Sequence, residues 1–180
     1  MAHLLTAVRL ALALPLALAF ARPAFLSAGL LAGLLGVAIA SDYLDGIVAR
    51  RQGTASSGGQ MFDHGTDWLL VTAGATGAAL AGAVPLILPV LITTAFVQYV
   101  FDSYWVHRQK RLRMSAIGRW NGVCYFVPLV LLAGARLEVS LGLTSMLIVS
   151  TRLVSYALIV STLVSIIDRA TAAYRGQERG

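Results

Sequence analysis

Six apolar runs constrain the fold of this 180-residue chain more than any other feature. They cover residues 4–20, 25–47, 62–81, 84–106, 117–135 and 143–167. A helix of about 20 apolar residues crosses the ~30 Å hydrocarbon core of a bilayer, and most of the runs approach that length. Because the chain is 58% hydrophobic and 12% charged, it has too little polar surface to enclose these runs in a soluble core. The sequence therefore predicts an all-α integral membrane protein with six transmembrane helices, forming one domain over residues 1–180.

The first run also fits a second interpretation. A short basic start with His3 and Arg9, an apolar centre and the triplet Ala19-Phe20-Ala21 are typical of a signal peptide and its cleavage site. If the run is instead a mature helix, Pro15 should kink it, just as Pro128 should bend the fifth helix.

Basic residues predict the orientation. They are concentrated in the loop after the second run, the loop after the fourth run and the tail 169–180, and comprise Arg50, Arg51, Arg108, Lys110, Arg111, Arg113, Arg119, Arg169, Arg175 and Arg179. The positive-inside rule places this side, both termini and the tail in the cytoplasm. Anionic lipid headgroups also account for the net charge of +6, so no nucleic-acid partner is expected.

Arg152 lies within the last apolar run and leaves the start of that helix open. If the helix starts near Leu143, Arg152 lies well inside the membrane and needs a partner. If the helix starts nearer Leu153, Arg152 extends to the outer interface, which is the interpretation we favour.

Half of the eight acidic residues fall within 26 positions: Asp42, Asp45, Asp63 and Asp67. Spacings of three and four place each pair on one face of a helix, and the polar Gly/Ser-rich segment 51–60 is predicted to be the loop between the two helices. If these helices are antiparallel neighbours, all four carboxylates converge. Such a cluster needs cations, and one or two Mg²⁺ or Mn²⁺ ions would stabilise it and hold a diphosphate. His64 is expected to point elsewhere.

The pattern Asp42-x2-Asp45-Gly46-x2-Ala49-Arg50-x8-Gly59-x3-Asp63-x3-Asp67 resembles the signature of the CDP-alcohol phosphatidyltransferase family. His3-Leu-Leu-Thr6-Ala-Val-Arg9 resembles the amino-terminal segment of that family, usually Asn-Leu-Leu-Thr-x-x-Arg, so the first run is kept as a mature helix. The resemblance implies an enzyme of phospholipid biosynthesis in the inner membrane of a bacterium. It would transfer a phosphatidyl group from CDP-diacylglycerol to an alcohol hydroxyl and release CMP at the cytoplasmic face.

The resemblance also implies roles for residues. Two Mg²⁺ or Mn²⁺ ions would be held by Asp42, Asp45, Asp63 and Asp67, and Asp67 would also be the general base. The CDP group would be bound by Thr6, Asp42, Gly46, Ala49, Arg50 and Gly59. A homodimer is common in the family.

The acceptor is less well defined. Members that use glycerol 3-phosphate usually carry an Arg-Glu pair in the fourth span and Gly-Lys-x-Lys-Thr before the fifth, whereas this chain has Gln98 and then Gly118-Arg119-Trp-Asn121-Gly122. Phosphatidylglycerophosphate synthase activity is the default, and a neutral or zwitterionic acceptor is the alternative. Candidate acceptor-binding residues are Asp102, Arg108, Arg111 and Arg119. Asp102 could instead pair with His107 or Arg108, and the arginines could contact headgroups.

Two other functions of the whole protein are considered: a divalent-cation transporter and an inactive relative of the family.

Overall fold

The computed structural model describes the backbone of residues 2–52, 57–102 and 116–177, and the side chains of residues 6–44, 62–102 and 117–171. Within these ranges the secondary structure is helical, without strands. The α-helices are α1 (Ala2–Ala21), α2 (Ala28–Gln52), α3 (Ser57–Leu80), α4 (Ile87–Phe101), α5 (Ala116–Cys124), α6 (Phe126–Ala135) and α7 (Leu141–Gln177). A 3-10 turn, Pro23–Phe25, leads into α2. The all-α prediction is confirmed.

Proline acts differently in two of the helices. α1 continues through Pro15, whereas the fifth apolar run is interrupted at Tyr125 and divides into α5 and α6. Pro128 has no N–H for a helical hydrogen bond, and its ring crowds the carbonyl of Cys124, four residues earlier. The run is therefore divided one residue beyond that carbonyl, while Tyr125 keeps helical backbone angles; the bend stays a prediction.

Two stretches are long and apolar enough to cross a bilayer, Ile117–Ala135 and Leu141–Thr171. Shorter apolar helices cover Thr6–Ala21, Ala28–Leu44 and Ile87–Phe101. Large apolar side chains also lie on the outside of the helices, including Leu14, Val97 and Val160. Such a surface suits contact with lipid rather than water. The six-span topology and the cytoplasmic termini stay predictions.

The prediction of a loop over residues 51–60 is wrong at both ends. α2 continues to Gln52 and α3 already begins at Ser57, so at most residues 53–56, outside the described residues, connect them. Glycine and serine have low helix propensity, but a growing helix and its tertiary contacts override this weak preference.

The last helix also differs from the sequence-based interpretation. α7 begins at Leu141 rather than near Leu153, and it continues to Gln177, so most of the tail extends the helix. Arg152 therefore lies eleven residues into α7, where its side chain is exposed.

α3 lies at the centre of the packing. One of its faces joins α1, α2 and α6 in a cluster that includes Leu16, Leu35 and Leu70. Its other face joins α4 and α7 in a second cluster that includes Val71, Ile92 and Leu158. α1 approaches α3 very closely at Gly77, where an added Cβ would lie 2.1 Å from the carbonyl oxygen of Ala17. Only a glycine allows this approach, which brings α1 beside the acidic start of α3.

Candidate active site

Three of the four aspartates meet around one arginine. Nη1 of Arg9 donates a hydrogen bond to Oδ1 of Asp42 at 2.7 Å. Nη1 also contacts Oδ1 of Asp67, and Nη2 contacts Oδ1 of Asp63. The Arg9 side chain is completely buried, whereas the three carboxylates are 23–41% exposed. The carboxylates are therefore held from the protein side by a guanidinium and remain open on their other side.

This convergence depends on α1, which the sequence did not place between the acidic helices. Within the described residues α2 and α3 make little direct contact, while α1 packs against both. An arginine in an apolar helix needs anionic partners, and here α2 and α3 provide them. The signal in the sequence was Arg9 itself, a lone cation within the first apolar run. Asp45 lies three residues after Asp42 on α2, and its side chain lies outside the described residues.

Asp63, His64 and Asp67 form a group that could hold a metal ion. One ligand atom from each lies within 4.8 Å of the other two. The expectation that His64 points elsewhere is wrong, because its ring lies on the same side of α3 as the carboxylates and packs edge-on against Tyr99 at 6.5 Å between ring centres. Clustered carboxylate oxygens are the ligands preferred by Mg²⁺ and Mn²⁺, so the donor set fits either ion.

A cavity of about 380 Å³ opens beside these residues. Its polar lining comes from five helices and includes Asp42, Asp63, His64, Asp67, Tyr99, Arg119, Ser165 and Arg169. Most of its remaining surface is apolar, with Trp68 and Phe96 stacked at 4.8 Å between ring centres. The cavity thus joins the carboxylate cluster to an aromatic wall and to two arginines from α5 and α7.

Arg169 belongs to this site, although in the sequence it counted only as a basic residue of the tail. Its guanidinium carbon lies 5.1 Å from the ring centre of Tyr99, a cation–π contact. Ser165, one helical turn earlier on α7, lines the same cavity. A signal was available, because Arg169 follows the buried Thr162 and Ser165 at helical spacing on the polar face of α7.

The predicted acceptor residues have different positions. Arg119 on α5 lines the cavity, whereas Asp102 ends α4 outside its lining and interacts electrostatically with Arg169. Arg108 and Arg111, like the alternative partner His107, lie outside the described residues.

The predicted CDP-binding residues lie on α1, α2 and α3. Thr6 is buried on α1, one turn before Arg9. Gly46, Ala49 and Arg50 belong to the last turns of α2, and Gly59 belongs to the first turn of α3. The side chains of Ala49 and Arg50 lie outside the described residues.

Two of the positions that depart from the glycerol 3-phosphate pattern, Gln98 and Asn121, contact α7. Nε2 of Gln98 donates a hydrogen bond to the carbonyl oxygen of Ile166 at 3.1 Å. Oδ1 of Asn121 accepts one from Oγ of Ser161 at 2.7 Å. These amides therefore fix the helix that carries Arg169.

A comparison with known protein families matches most of the chain. The family model described as CDP-alcohol phosphatidyltransferase matches residues 1–167. These residues contain α1 to α6 and most of α7. No curated protein and no solved structure matches the chain. Members of this family transfer substituted phosphate groups from CDP-alcohols within membranes. Since the match covers most of the sequence, this chain belongs to the CDP-alcohol phosphatidyltransferase family.

Proposed function

We propose that this protein transfers the phosphatidyl group of CDP-diacylglycerol to the hydroxyl of an alcohol and releases CMP, using two Mg²⁺ or Mn²⁺ ions. The observation that carries the proposal is one cavity lined by Asp42, Asp63 and Asp67 and also by Arg119 and Arg169. Carboxylates suit the metal ions that accompany a diphosphate, and arginines suit an anionic second substrate.

Asp42, Asp45, Asp63 and Asp67 would hold the ions. Divalent ions bound there would neutralise the charge that develops on the diphosphate as its bond breaks. Asp67 would accept the proton of the acceptor hydroxyl. The acceptor oxygen then forms a bond to the phosphorus of the phosphatidyl group, while the bond from that phosphorus to the CMP oxygen breaks. Asp67 is assigned this role because it matches the last aspartate of the family motif, and its side chain lines the cavity.

The nucleotide would lie along the ends of α2 and α3. Gly46, Ala49 and Gly59 have small or absent side chains, so the cytidine and its phosphates can approach the backbone there. Thr6 and Arg50 would supply a hydroxyl and a guanidinium to the same group. Thr6 is one turn from Arg9, which supports its proximity to the aspartates.

For the acceptor, a phosphate-bearing alcohol fits best, and glycerol 3-phosphate is the specific proposal. Arg119 and Arg169 would bind its phosphate, with Arg108, Arg111 and Asp102 as further candidates. Arginine is suited to phosphate because its planar donors form paired hydrogen bonds. Because the amides of Gln98 and Asn121 are engaged with α7, phosphate recognition would fall to Arg119, at the position of the family's first lysine, and to Arg169. A neutral or zwitterionic alcohol remains the alternative.

The topology completes the proposal. Six spans with both termini in the cytoplasm would place the aspartates and the cavity at the cytoplasmic face of a bacterial inner membrane, where CDP-linked substrates are available. The chain would act as one domain over residues 1–180 and, as is common in the family, as a homodimer.

The test is CMP release by the purified protein in detergent with CDP-diacylglycerol and Mg²⁺. The acceptors would be glycerol 3-phosphate, inositol, inositol phosphate, serine, choline, glycerol and a phospholipid. Release stimulated by glycerol 3-phosphate supports the full proposal, and Asp67→Asn is the control for chemistry. Stimulation by a neutral alcohol alone would reject the phosphate-binding role of the arginines. Absence of release with every acceptor, together with Mg²⁺ uptake by proteoliposomes, would favour a transporter.

A further inference from the structure

Arg9 is the largest fully buried side chain among the described residues. Burying a guanidinium is unfavourable unless anions surround it closely. Asp42, Asp63 and Asp67 come from two other helices, and Arg9 contacts all three. One guanidinium offsets only one of the three carboxylate charges, so the cluster still attracts further cations.

Each of these carboxylates contacts Arg9 through a single oxygen. The oxygen is Oδ1 in Asp42, Asp63 and Asp67 alike. Within the described residues, no hydrogen bond reaches the Oδ2 atoms of the three side chains, which are partly exposed to the cavity. Since a carboxylate has two acceptor oxygens, it can contact a guanidinium and a metal ion at the same time.

We propose that Arg9 is a positioning residue of the metal site, a permanent internal cation that gathers Asp42, Asp63 and Asp67 and leaves their second oxygens to divalent ions. The inference rests on the metal site of the proposed function. A purely structural arginine would stabilise the helices to the same extent with and without metal. A positioning cation shares its carboxylates with the metal, so the two stabilise the same repelling charges.

This sharing has a measurable consequence. When two cations neutralise one cluster, the loss of either makes the protein more dependent on the other, so their effects on stability are not additive. Removing Arg9 should therefore destabilise the protein most when divalent ions are chelated. Mg²⁺ should restore much of the lost stability, because it relieves the repulsion that Arg9 no longer offsets.

The test compares Arg9→Met with Arg136→Met in the full-length chain in detergent. Arg136 is a matched control because its Nη1 donates to the carbonyl oxygen of Ala19 at 2.6 Å. Ala19 lies ten residues from Arg9, about 15 Å along α1. Melting temperatures would be measured in EDTA and in excess Mg²⁺. We expect the loss caused by Arg9→Met to be at least twice as large in EDTA as in Mg²⁺, and the loss caused by Arg136→Met to be equal in both. Equal losses for Arg9→Met would overturn the inference.

Two further variants keep the test decisive if Arg9→Met does not fold. Arg9→Lys keeps the charge, but the single ammonium of lysine cannot match the forked contacts of arginine. The melting temperature of this variant should therefore depend on Mg²⁺ more strongly than that of the wild type. Asp63→Asn in the Arg9→Lys background should restore part of the stability in EDTA, because it removes one of the repelling charges. A wild-type response to Mg²⁺ in Arg9→Lys, or no restoration by Asp63→Asn, would reject the proposal.

These measurements separate the inference from the proposed function, because they record stability rather than turnover. Metal-dependent stability of the Arg9 variants without CMP release would support the role of Arg9 and reject the transferase reaction. CMP release, together with a wild-type dependence of melting temperature on Mg²⁺ in the Arg9 variants, would support the transferase reaction and reject the role of Arg9.

Discussion

Gly77→Ala should weaken the contact between α1 and α3 on which the site depends. The new Cβ would lie 2.1 Å from the carbonyl oxygen of Ala17 and 3.0 Å from its carbonyl carbon. Ordinary carbon–oxygen contacts are more than 1 Å longer than the first distance. A backbone carbonyl within a helix cannot rotate away as a side chain can, so the two helices must separate.

The magnitude follows from a comparison with Gly36→Ala. Gly36 lies within α2, and an added Cβ there meets no atom within 4 Å. Both substitutions gain the same helix propensity, about 1 kcal/mol, which cancels in the difference between them. What remains is the cost of overpacking, roughly 1–3 kcal/mol. For a chain of this size, 1 kcal/mol corresponds to about 2–4 °C in melting temperature. Gly77→Ala should therefore melt roughly 2–12 °C below Gly36→Ala.

The assay can use the single cysteine of the chain. Cys124 is a free, half-buried thiol at the end of α5. A thiol-reactive dye can therefore report unfolding in detergent without the introduction of another cysteine. Equal melting temperatures for the two variants would refute the argument, because they would mean that α1 does not approach α3 as closely as the structure has it.

Four further predictions concern the reaction. Asp67→Asn should lower kcat at least ~100-fold while sparing most CDP-diacylglycerol binding, and a variant with wild-type turnover would exclude Asp67 as the base. EDTA should abolish CMP release and added Mg²⁺ or Mn²⁺ should restore it, whereas full activity in EDTA would reject the metal mechanism. Gly46→Leu should block nucleotide binding, and unchanged affinity for the CDP-lipid would place the cytidine elsewhere. Arg169→Gln should raise the KM for glycerol 3-phosphate roughly 10- to 100-fold and leave the KM for CDP-diacylglycerol unchanged. A KM for glycerol 3-phosphate equal to that of the wild type would remove Arg169 from the acceptor site.

The local pattern of the chain predicted much of the secondary structure. Each of the six apolar runs contains a helix or, in the fifth run, two helices separated near the expected bend. Boundaries were less predictable. Residues 51, 52 and 57–60 are helical despite their Gly/Ser-rich composition, because weak local propensities yield to the packing of the helices they extend.

The candidate site was predictable only in part. The spacing of Asp63 and Asp67 was enough to predict that both lie on one face of α3, since helical periodicity fixes which residues share a face. That Asp42 joins them depends on α1, which packs against both α2 and α3. Arg169 and Tyr99 were not identified because their relation to the aspartates depends on how α4 and α7 pack against α3, and no short sequence pattern encodes that arrangement.

The sequence by itself determined the class of the protein: a helical, predominantly apolar chain carrying an acidic motif specific enough to predict its family, later confirmed by the family match. Only the tertiary structure decided that α1 packs against both acidic helices and that Arg9 gathers their carboxylates. The reason is physical. Apolarity and helical spacing are local properties that are readable along the chain, whereas the position of a buried charge depends on which distant residues can neutralise it.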